Sequence, residues 1–166
     1  RGTGILSGDG AGAVGLTASE EAGGGMAGLE MTTDPDGAYM IWLPSGGSRS
    51  PSSPETTNRG EHYIRMEGRE TYRYATRTLA ASALKAVEKA GWSPDEIDLV
   101  VPHQANVRII EAVAKGLKLP MDRFFVNIDK YGNTSAASVG IALDEAVAEG
   151  RVKPGDKIDF VAFGAG

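Results

Sequence analysis

The sequence predicts an α/β fold in which helices cover a mainly parallel sheet, and a few segments carry this prediction. Apolar or small residues recur close to every 3.6 positions over residues 69–90, which predicts a long helix that ends at Gly91. Asp98–Pro102 is a short, largely apolar run, typical of a strand buried on both faces. A second helix is predicted over 106–117, and the last strand over 157–163. Strands that alternate with helices indicate a parallel sheet between helical layers.

The first third of the chain is predicted to be less regular. Residues 3–18 predict a hairpin, with one strand before the GDGAG turn and a second at Ala13–Leu16. Residues 23–62 are rich in Gly, Pro, Ser and Thr and predict a long loop, which is loosest at Pro44–Gly60. We expect the apolar island Tyr39–Leu43 inside this loop to pack against another element.

Three shorter elements complete the predicted order. Ser93–Ile97 predicts a short helix, because a serine, a proline and acidic residues stand at its start. Val126–Asp129 predicts a short strand. A third helix is predicted to begin near Thr134 and to end before Gly150, and Asn133 would then serve as its N-cap.

The composition bounds the kinds of site and partner. The chain has 166 residues, 41% of them hydrophobic and 23% charged, which is ordinary globular composition and enough for a sizeable core. A net charge of −5 and a pI of about 5.1 argue against nucleic acid or an anionic membrane surface as the main partner. No apolar run is long enough to span a bilayer. The absence of cysteine excludes disulfides, thiolate metal sites and a cysteine nucleophile within this chain.

Two polar residues stand where α/β proteins build active sites. His103, one of two histidines, follows the predicted buried strand and precedes a helix. Asn133 precedes a helix whose first residues are small, so the start of this helix is predicted to be buried. Together the two side chains could hold one carbonyl oxygen, although a satisfied polar residue beneath a turn remains the alternative for His103. His62 is predicted to be a surface residue, and Gly8–Ala13 lacks dinucleotide-binding spacing and predicts a turn that lets backbones approach.

Five motifs, in order along the chain, carry a resemblance to a known family: SGDGAGAV, IRMEGRETYRYA, DLVVPHQANVRII, KYGNTSAAS and DFVAFGAG. They resemble the 3-oxoacyl-[acyl-carrier-protein] synthase III family, the condensing enzymes that initiate bacterial fatty-acid synthesis. The resemblance is weakest over residues 23–62. It implies a thiolase-like layered α/β/α fold, mostly the C-terminal half. Residues 1–22 would be the end of the N-terminal half with its last hairpin, and residues 23–166 the C-terminal half without its closing strands.

The resemblance implies a role for each residue that matches a family motif. His103 and Asn133 match the catalytic His and Asn, and Ala165 matches a residue whose backbone N–H forms part of an oxyanion hole. Five residues match positions that bind coenzyme A or its pantetheine arm: Arg1, Gly68, Asn106, Arg108 and Tyr72, the last where the family often has Phe. Four basic residues are candidates for carrier-protein docking, with a solvated helix face as the alternative: Arg69, Arg73, Arg108 and Lys115. No metal site is predicted.

The implied reaction is a decarboxylative condensation of an acyl-CoA with malonyl-acyl-carrier protein. Coenzyme A thioester is a substrate of this reaction, and no cofactor is expected. In this role His103 carries its proton on Nε2, while Nδ1 accepts a hydrogen bond that we expect from a backbone N–H. The family's nucleophile is a cysteine in its N-terminal half, so residues 1–166 alone are expected to be inactive.

The resemblance also implies a cytoplasmic homodimer that binds neither nucleic acid nor membrane. Two alternative functions remain open at this point. One is a related thiolase-fold starter synthase of polyketide or secondary metabolism. The other is a non-catalytic scaffold subunit whose half-site completes a partner's site.

Overall fold

The structure is a computed structural model, and it describes residue 4, residues 7–18, residue 20 and residues 24–165. The helices are α1 (Pro54–Asn58), α2 (Gly68–Lys89), α3 (Val107–Leu117), α4 (Ile128–Tyr131) and α5 (Ala137–Ala148). The strands are β1 (Ile41–Trp42), β2 (Arg65–Met66), β3 (Leu99–Pro102) and β4 (Ile158–Val161). Single 3₁₀ turns lie at Pro35–Gly37, Pro94–Glu96 and Met121–Arg123.

The long helix α2 forms because its small and apolar residues share one face. Ala75, Leu79, Ala83 and Val87 recur four positions apart, and all four are buried in the core. Gly91 has a φ of +74°, a left-handed conformation that suits glycine directly after a helix. The predicted long helix is therefore confirmed. None of the helices in the described part of the chain is long and apolar enough to serve as a membrane span.

β3 and β4 form a parallel pair that lies between two helical layers. Their register places Pro102 opposite Val161. Val100 packs into a cluster with residues of α2 and α3, whereas Leu99 and Val101 pack on the other face against α5. Both faces of β3 are therefore buried, and the predicted α/β/α layering is confirmed.

The second strand of the predicted hairpin is wrong. Residues 8–18 form no strand, and Val14 and Leu16 are 66% and 91% exposed. Part of the predicted first strand lies outside the described residues. A two-stranded ribbon is marginally stable unless another element covers its apolar face, and no described element covers these two side chains.

Three shorter predictions also differ from the structure. The predicted strand Val126–Asp129 is wrong. The extended backbone lies earlier, where Phe124 forms a parallel β-bridge with Val100, and the short helix α4 begins at Ile128. The short helix predicted at Ser93–Ile97 is a single 3₁₀ turn. Helix α5 begins three residues later than predicted, because Ser135 has a φ of +55°, which no right-handed helix can include.

The segment Pro44–Gly60, predicted to be the loosest part of a long loop, is ordered by local hydrogen bonds. Ser53 and Thr56 form a capping box at the start of α1, with N···O distances of 2.9 and 3.2 Å. β1 and β2 form an antiparallel pair on either side of this segment. The apolar island that includes β1 is only partly packed, since Tyr39 and Leu43 are 56% and 50% exposed.

Candidate active site

His103 lies where the chain leaves β3, at the carboxyl edge of the sheet. Its backbone N–H donates to the carbonyl oxygen of Val161 at 2.8 Å, which ties it to the end of β4. The carboxyl edge of a parallel sheet is the usual position of a binding site in this class of fold. The imidazole is largely buried, and this burial lowers the pKa of His103 below its ordinary value. The ring is therefore neutral at physiological pH.

The Nδ1 atom of His103 contacts a hydroxyl group. Ser138 Oγ lies 2.6 Å from Nδ1, and the same oxygen accepts the backbone N–H of Gln104 at 3.2 Å. Ser138 lies in the first turn of α5 and is 2% exposed. The prediction that Nδ1 pairs with a backbone N–H is wrong, because the nearby N–H reaches the ring through this hydroxyl. Among the described residues only Nδ1 of the ring has a hydrogen-bonding partner, which leaves Nε2 for a ligand.

Asn133 lies in the turn before α5, and its acceptor atom is also occupied. Its Oδ1 accepts the backbone N–H of Ser135 at 2.9 Å, in a tight turn that the left-handed conformation of Ser135 completes. The prediction that Asn133 is the N-cap of α5 is wrong, since Ala136 occupies that position. Because Oδ1 is taken, the Nδ2 amide group is the part of the side chain left to donate to a ligand.

Glycines in the segment Ser7–Ala13 allow it to lie directly against the Asn133 turn. The Gly8 N–H donates to the Asn133 carbonyl oxygen at 2.7 Å, and Ser7 forms a parallel bridge with the same residue. A Cβ at Gly8 would stand 2.1 Å from the carbonyl oxygen of Tyr131. A Cβ at Gly12 would lie 3.3 Å from the backbone of α5. The predicted role of these glycines in close backbone approach is confirmed.

Gln104, which the sequence pattern did not single out, fixes the path of the chain after β3. Its side chain is 1% exposed and donates from Nε2 to the carbonyl oxygens of Pro102 at 2.8 Å and Phe125 at 3.1 Å. Its Oε1 accepts the backbone N–H of Asn127 at 3.0 Å. These bonds satisfy a buried amide and direct the Gln104 backbone N–H toward Ser138. A long amide side chain directly after a predicted buried strand is the feature of the sequence that could have indicated this role of Gln104.

The other residues matched to ligand binding or docking lie at the start of α3, along α3 and beyond β4. Asn106 caps α3, with its Oδ1 accepting the backbone N–H of Arg108 at 2.9 Å, and both residues are exposed. Lys115 lies two turns further along α3 and is also exposed. Ala165 is exposed beyond the end of β4. Arg1 lies outside the described residues.

The first turns of α2 reach the same edge of the sheet. Tyr74 stacks on Phe163, which follows β4, with 5.4 Å between ring centroids. Arg73 forms an ion pair with Glu70 on the outer face of the helix. The predicted ligand and docking residues of α2 are all exposed here: Gly68, Arg69, Tyr72 and Arg73. Within the described residues, no cluster of three or more acidic or histidine side chains could hold a metal ion.

The chain is similar to known proteins in sequence and in fold. Residues 87–166 match the family described as 3-oxoacyl-[acyl-carrier-protein (ACP)] synthase III C terminal. The whole chain is 51% identical to beta-ketoacyl-[acyl-carrier-protein] synthase III of Roseiflexus sp. (strain RS-1) and covers 50% of that relative. The structure resembles 3-oxoacyl-[acyl-carrier-protein] synthase III from Aquifex aeolicus VF5, with a TM-score of 0.75 and 41% identity over 89% of this chain and 43% of that chain.

A polyketide enzyme is less similar. The priming β-ketosynthase of the R1128 polyketide biosynthetic pathway has a TM-score of 0.66 and 31% identity, over 80% of this chain and 39% of that chain. The chain spans about half the length of the curated relatives it matches. The family match, the identity along the full chain and the shared thiolase-type α/β layers agree. Along its full length the chain is similar to about half of a 3-oxoacyl-[acyl-carrier-protein] synthase III, and its residues 87–166 match the C-terminal model of that family.

Proposed function

We propose that this protein catalyses the initiating condensation of fatty-acid synthesis, in which an acyl group from acyl-CoA is joined to malonyl-acyl-carrier protein with loss of carbon dioxide. One observation carries the proposal. His103 and Asn133 each have one atom held by the protein, Nδ1 by the Ser138 hydroxyl and Oδ1 by the Ser135 N–H. This leaves the ring nitrogen Nε2 and the amide Nδ2 to meet a ligand, and both can present N–H groups.

Two N–H donors suit the step that makes the carbon nucleophile. When the malonyl thioester loses carbon dioxide, the electrons of the broken carbon–carbon bond form an enolate, whose negative charge lies on the thioester oxygen. His103 Nε2–H and Asn133 Nδ2–H donate to that oxygen, and each such donor typically lowers the barrier by ~2.7–4 kcal/mol in a site that excludes water. The neutral state of His103, caused by burial, suits a hydrogen-bond donor rather than a proton source.

The acyl group requires a nucleophile that holds it as a thioester, and these 166 residues contain no cysteine. The resemblance assigns that role to a cysteine in the N-terminal half of the family's proteins. The Ala165 backbone N–H, exposed beyond β4, would donate to the tetrahedral oxyanion formed on the acyl thioester. The reaction takes coenzyme A thioester as a substrate and uses no cofactor.

Basic residues at the same edge would dock the acidic carrier protein. Arg69 and Arg73 stand in the first turns of α2, and Arg108 stands in the first turn of α3, all exposed. Because the protein is itself acidic, a local cluster of positive charge is needed to attract an acidic partner. Lys115 would extend this docking surface along α3. Gly68, Tyr72 and Asn106 would then lie near the pantetheine arm, and Arg1 near the nucleotide.

The organisation of the whole protein is part of the proposal. We assign residues 1–22 to the end of an N-terminal thiolase-like half and residues 23–166 to the C-terminal half, in a cytoplasmic homodimer. The lower identity to the polyketide priming enzyme does not favour a starter synthase of secondary metabolism. Retention of both donor side chains likewise does not favour a non-catalytic scaffold.

The test is to replace His103 by alanine in the full-length protein. We expect release of carbon dioxide from malonyl-acyl-carrier protein to fall ~10²–10³-fold, the usual effect of removing one such donor. Transfer of the acyl group from acyl-CoA to protein, followed by mass spectrometry, should remain close to wild type. His62→Ala is the matched control, because His62 is exposed and its ring packs against the ring of Tyr63. Equal loss of both half-reactions in His103→Ala would contradict the proposal.

A further inference from the structure

We infer that Ser138 is a positioning residue that holds the proton of His103 on Nε2. The kinetic consequence of this role rests on the proposed function. The role itself is inferred from three groups that contact one another. The backbone N–H of Gln104, the hydroxyl of Ser138 and Nδ1 of His103 form one chain of contacts of 3.2 and 2.6 Å. The direction of the hydrogen bonds along this chain decides which ring nitrogen carries the proton.

A backbone N–H fixes the direction at one end. An amide N–H can only donate, so the Gln104 contact occupies a lone pair of the Ser138 oxygen. The hydroxyl has one proton, and His103 Nδ1 is its only hydrogen-bonding neighbour apart from that N–H among the described residues. If the hydroxyl proton points at Nδ1, both groups are satisfied. The neutral imidazole then carries its own proton on Nε2.

The opposite arrangement leaves a buried group without a partner. If Nδ1 carried the proton, two N–H groups would point at the same oxygen, and the Ser138 hydroxyl proton would have no acceptor among the described residues. Ser138 is 2% exposed, so bulk water cannot readily supply one. A buried donor without an acceptor costs about 1–3 kcal/mol, which favours the Nε2–H form about 5-fold to more than 100-fold.

The groups on either side are held rigidly. Gln104 is fixed by three side-chain hydrogen bonds, so its N–H cannot turn away. Ser138 lies in the first turn of α5, and its own backbone N–H donates to the Ser135 carbonyl oxygen at 3.1 Å. The His103 backbone is tied to Val161. The hydroxyl therefore relays the fixed orientation of one backbone amide to the imidazole.

The experiment measures the tautomer directly by ¹⁵N NMR of the imidazole in the full-length protein, with the His103 signals assigned from a His103→Gln sample. We expect the wild-type ring to carry its proton on Nε2. Ser138→Ala should give a mixture of the two neutral tautomers, and Ser138→Thr, which keeps the hydroxyl, should restore the Nε2–H form. An unchanged tautomer in Ser138→Ala overturns the inference, as does failure of a folded Ser138→Thr to restore it.

A matched control separates this effect from the loss of a serine hydrogen bond in general. Ser53 Oγ also accepts a backbone N–H at 3.2 Å, but it caps α1 away from His103. Ser53→Ala should leave the tautomer unchanged. If Ser138→Ala does not fold, Ser138→Cys provides the comparison, because a thiol is a weaker donor and should give an intermediate population of Nε2–H.

The kinetic readout is distinct from the spectroscopic one. In Ser138→Ala, decarboxylation should fall in proportion to the lost Nε2–H population, about twofold for an even mixture of tautomers, which is far less than the loss when the imidazole donor is removed. Acyl transfer should not change. If the wild-type protein decarboxylates no malonyl thioester, the proposed function fails while the NMR result still decides the inference about Ser138.

Discussion

Replacing Gly8 by alanine is expected to displace Asn133 without altering any group that contacts substrate. The added Cβ would stand 2.1 Å from the Tyr131 carbonyl oxygen, whereas real Cβ atoms essentially never approach closer than 3.0 Å. The neighbour here is backbone, which cannot rotate away as a side chain can. The segment that carries Gly8 and the turn that carries Asn133 must therefore separate.

The size of the effect follows from this separation. Gly8 is joined to Asn133 by a hydrogen bond of 2.7 Å and by the adjacent bridge of Ser7, so the shift acts directly on the Asn133 backbone. A misplacement of about 1 Å in a catalytic group can reduce the rate about 100-fold. We therefore expect decarboxylation by Gly8→Ala to fall about 100-fold, equivalent to about 2.7 kcal/mol of lost transition-state stabilisation.

The assay compares Gly8 with Gly15, which lies two residues beyond the segment Ser7–Ala13, in the full-length protein. A Cβ at Gly15 meets no atom within 4 Å, so Gly15→Ala is the control for adding a methyl group. Carbon dioxide release, acyl transfer and the temperature of unfolding are measured for both variants. Equal decarboxylation rates in Gly8→Ala and Gly15→Ala would show that the segment Ser7–Ala13 has no influence on the position of Asn133.

Three further predictions concern charge and completeness. Arg108→Glu should raise the apparent KM for malonyl-acyl-carrier protein by at least about tenfold at low salt and by less at high salt. The reaction of a small malonyl thioester without carrier should not change. A salt-independent loss with both substrates would instead place Arg108 in the active site. Asp159 is buried, its Oδ2 has no hydrogen-bond partner among the described residues, and desolvation raises its pKa from 3.8 to about 6. The folded state therefore holds this proton more tightly, and the free energy of unfolding should fall by about 3 kcal/mol in all as the pH rises through that range, about 2 kcal/mol of it between pH 4.5 and 7. Asp159→Asn should remove this dependence in unfolding experiments at pH 4.5 and 7; an unchanged pH dependence would mean that Asp159 ionises normally. Residues 1–166 produced alone should transfer no acyl group, since they contain no cysteine; a covalent acyl-protein adduct detected by mass spectrometry would disprove this.

The elements that depend on local periodicity or on a buried apolar run could be predicted from the amino-acid order alone. Helix α2 is predicted by small and apolar residues four positions apart, which are buried on one face. Strand β3 is predicted by a short apolar run, which is buried on both faces. The location of His103 after β3 and of Asn133 before α5 could also be predicted, because both are fixed by the order of elements along the chain.

Tertiary structure decided how those two residues are held. Ser138 reaches His103 across 35 positions of sequence, and the Gly8 N–H reaches the Asn133 carbonyl oxygen from the other end of the chain. Neither contact leaves a local pattern, because a serine in a small-residue helix and a glycine in a turn have many common uses. The second strand of the predicted hairpin failed for the same reason: a local pattern predicts a strand, but only a neighbour in space can supply its hydrogen bonds and cover its apolar side chains.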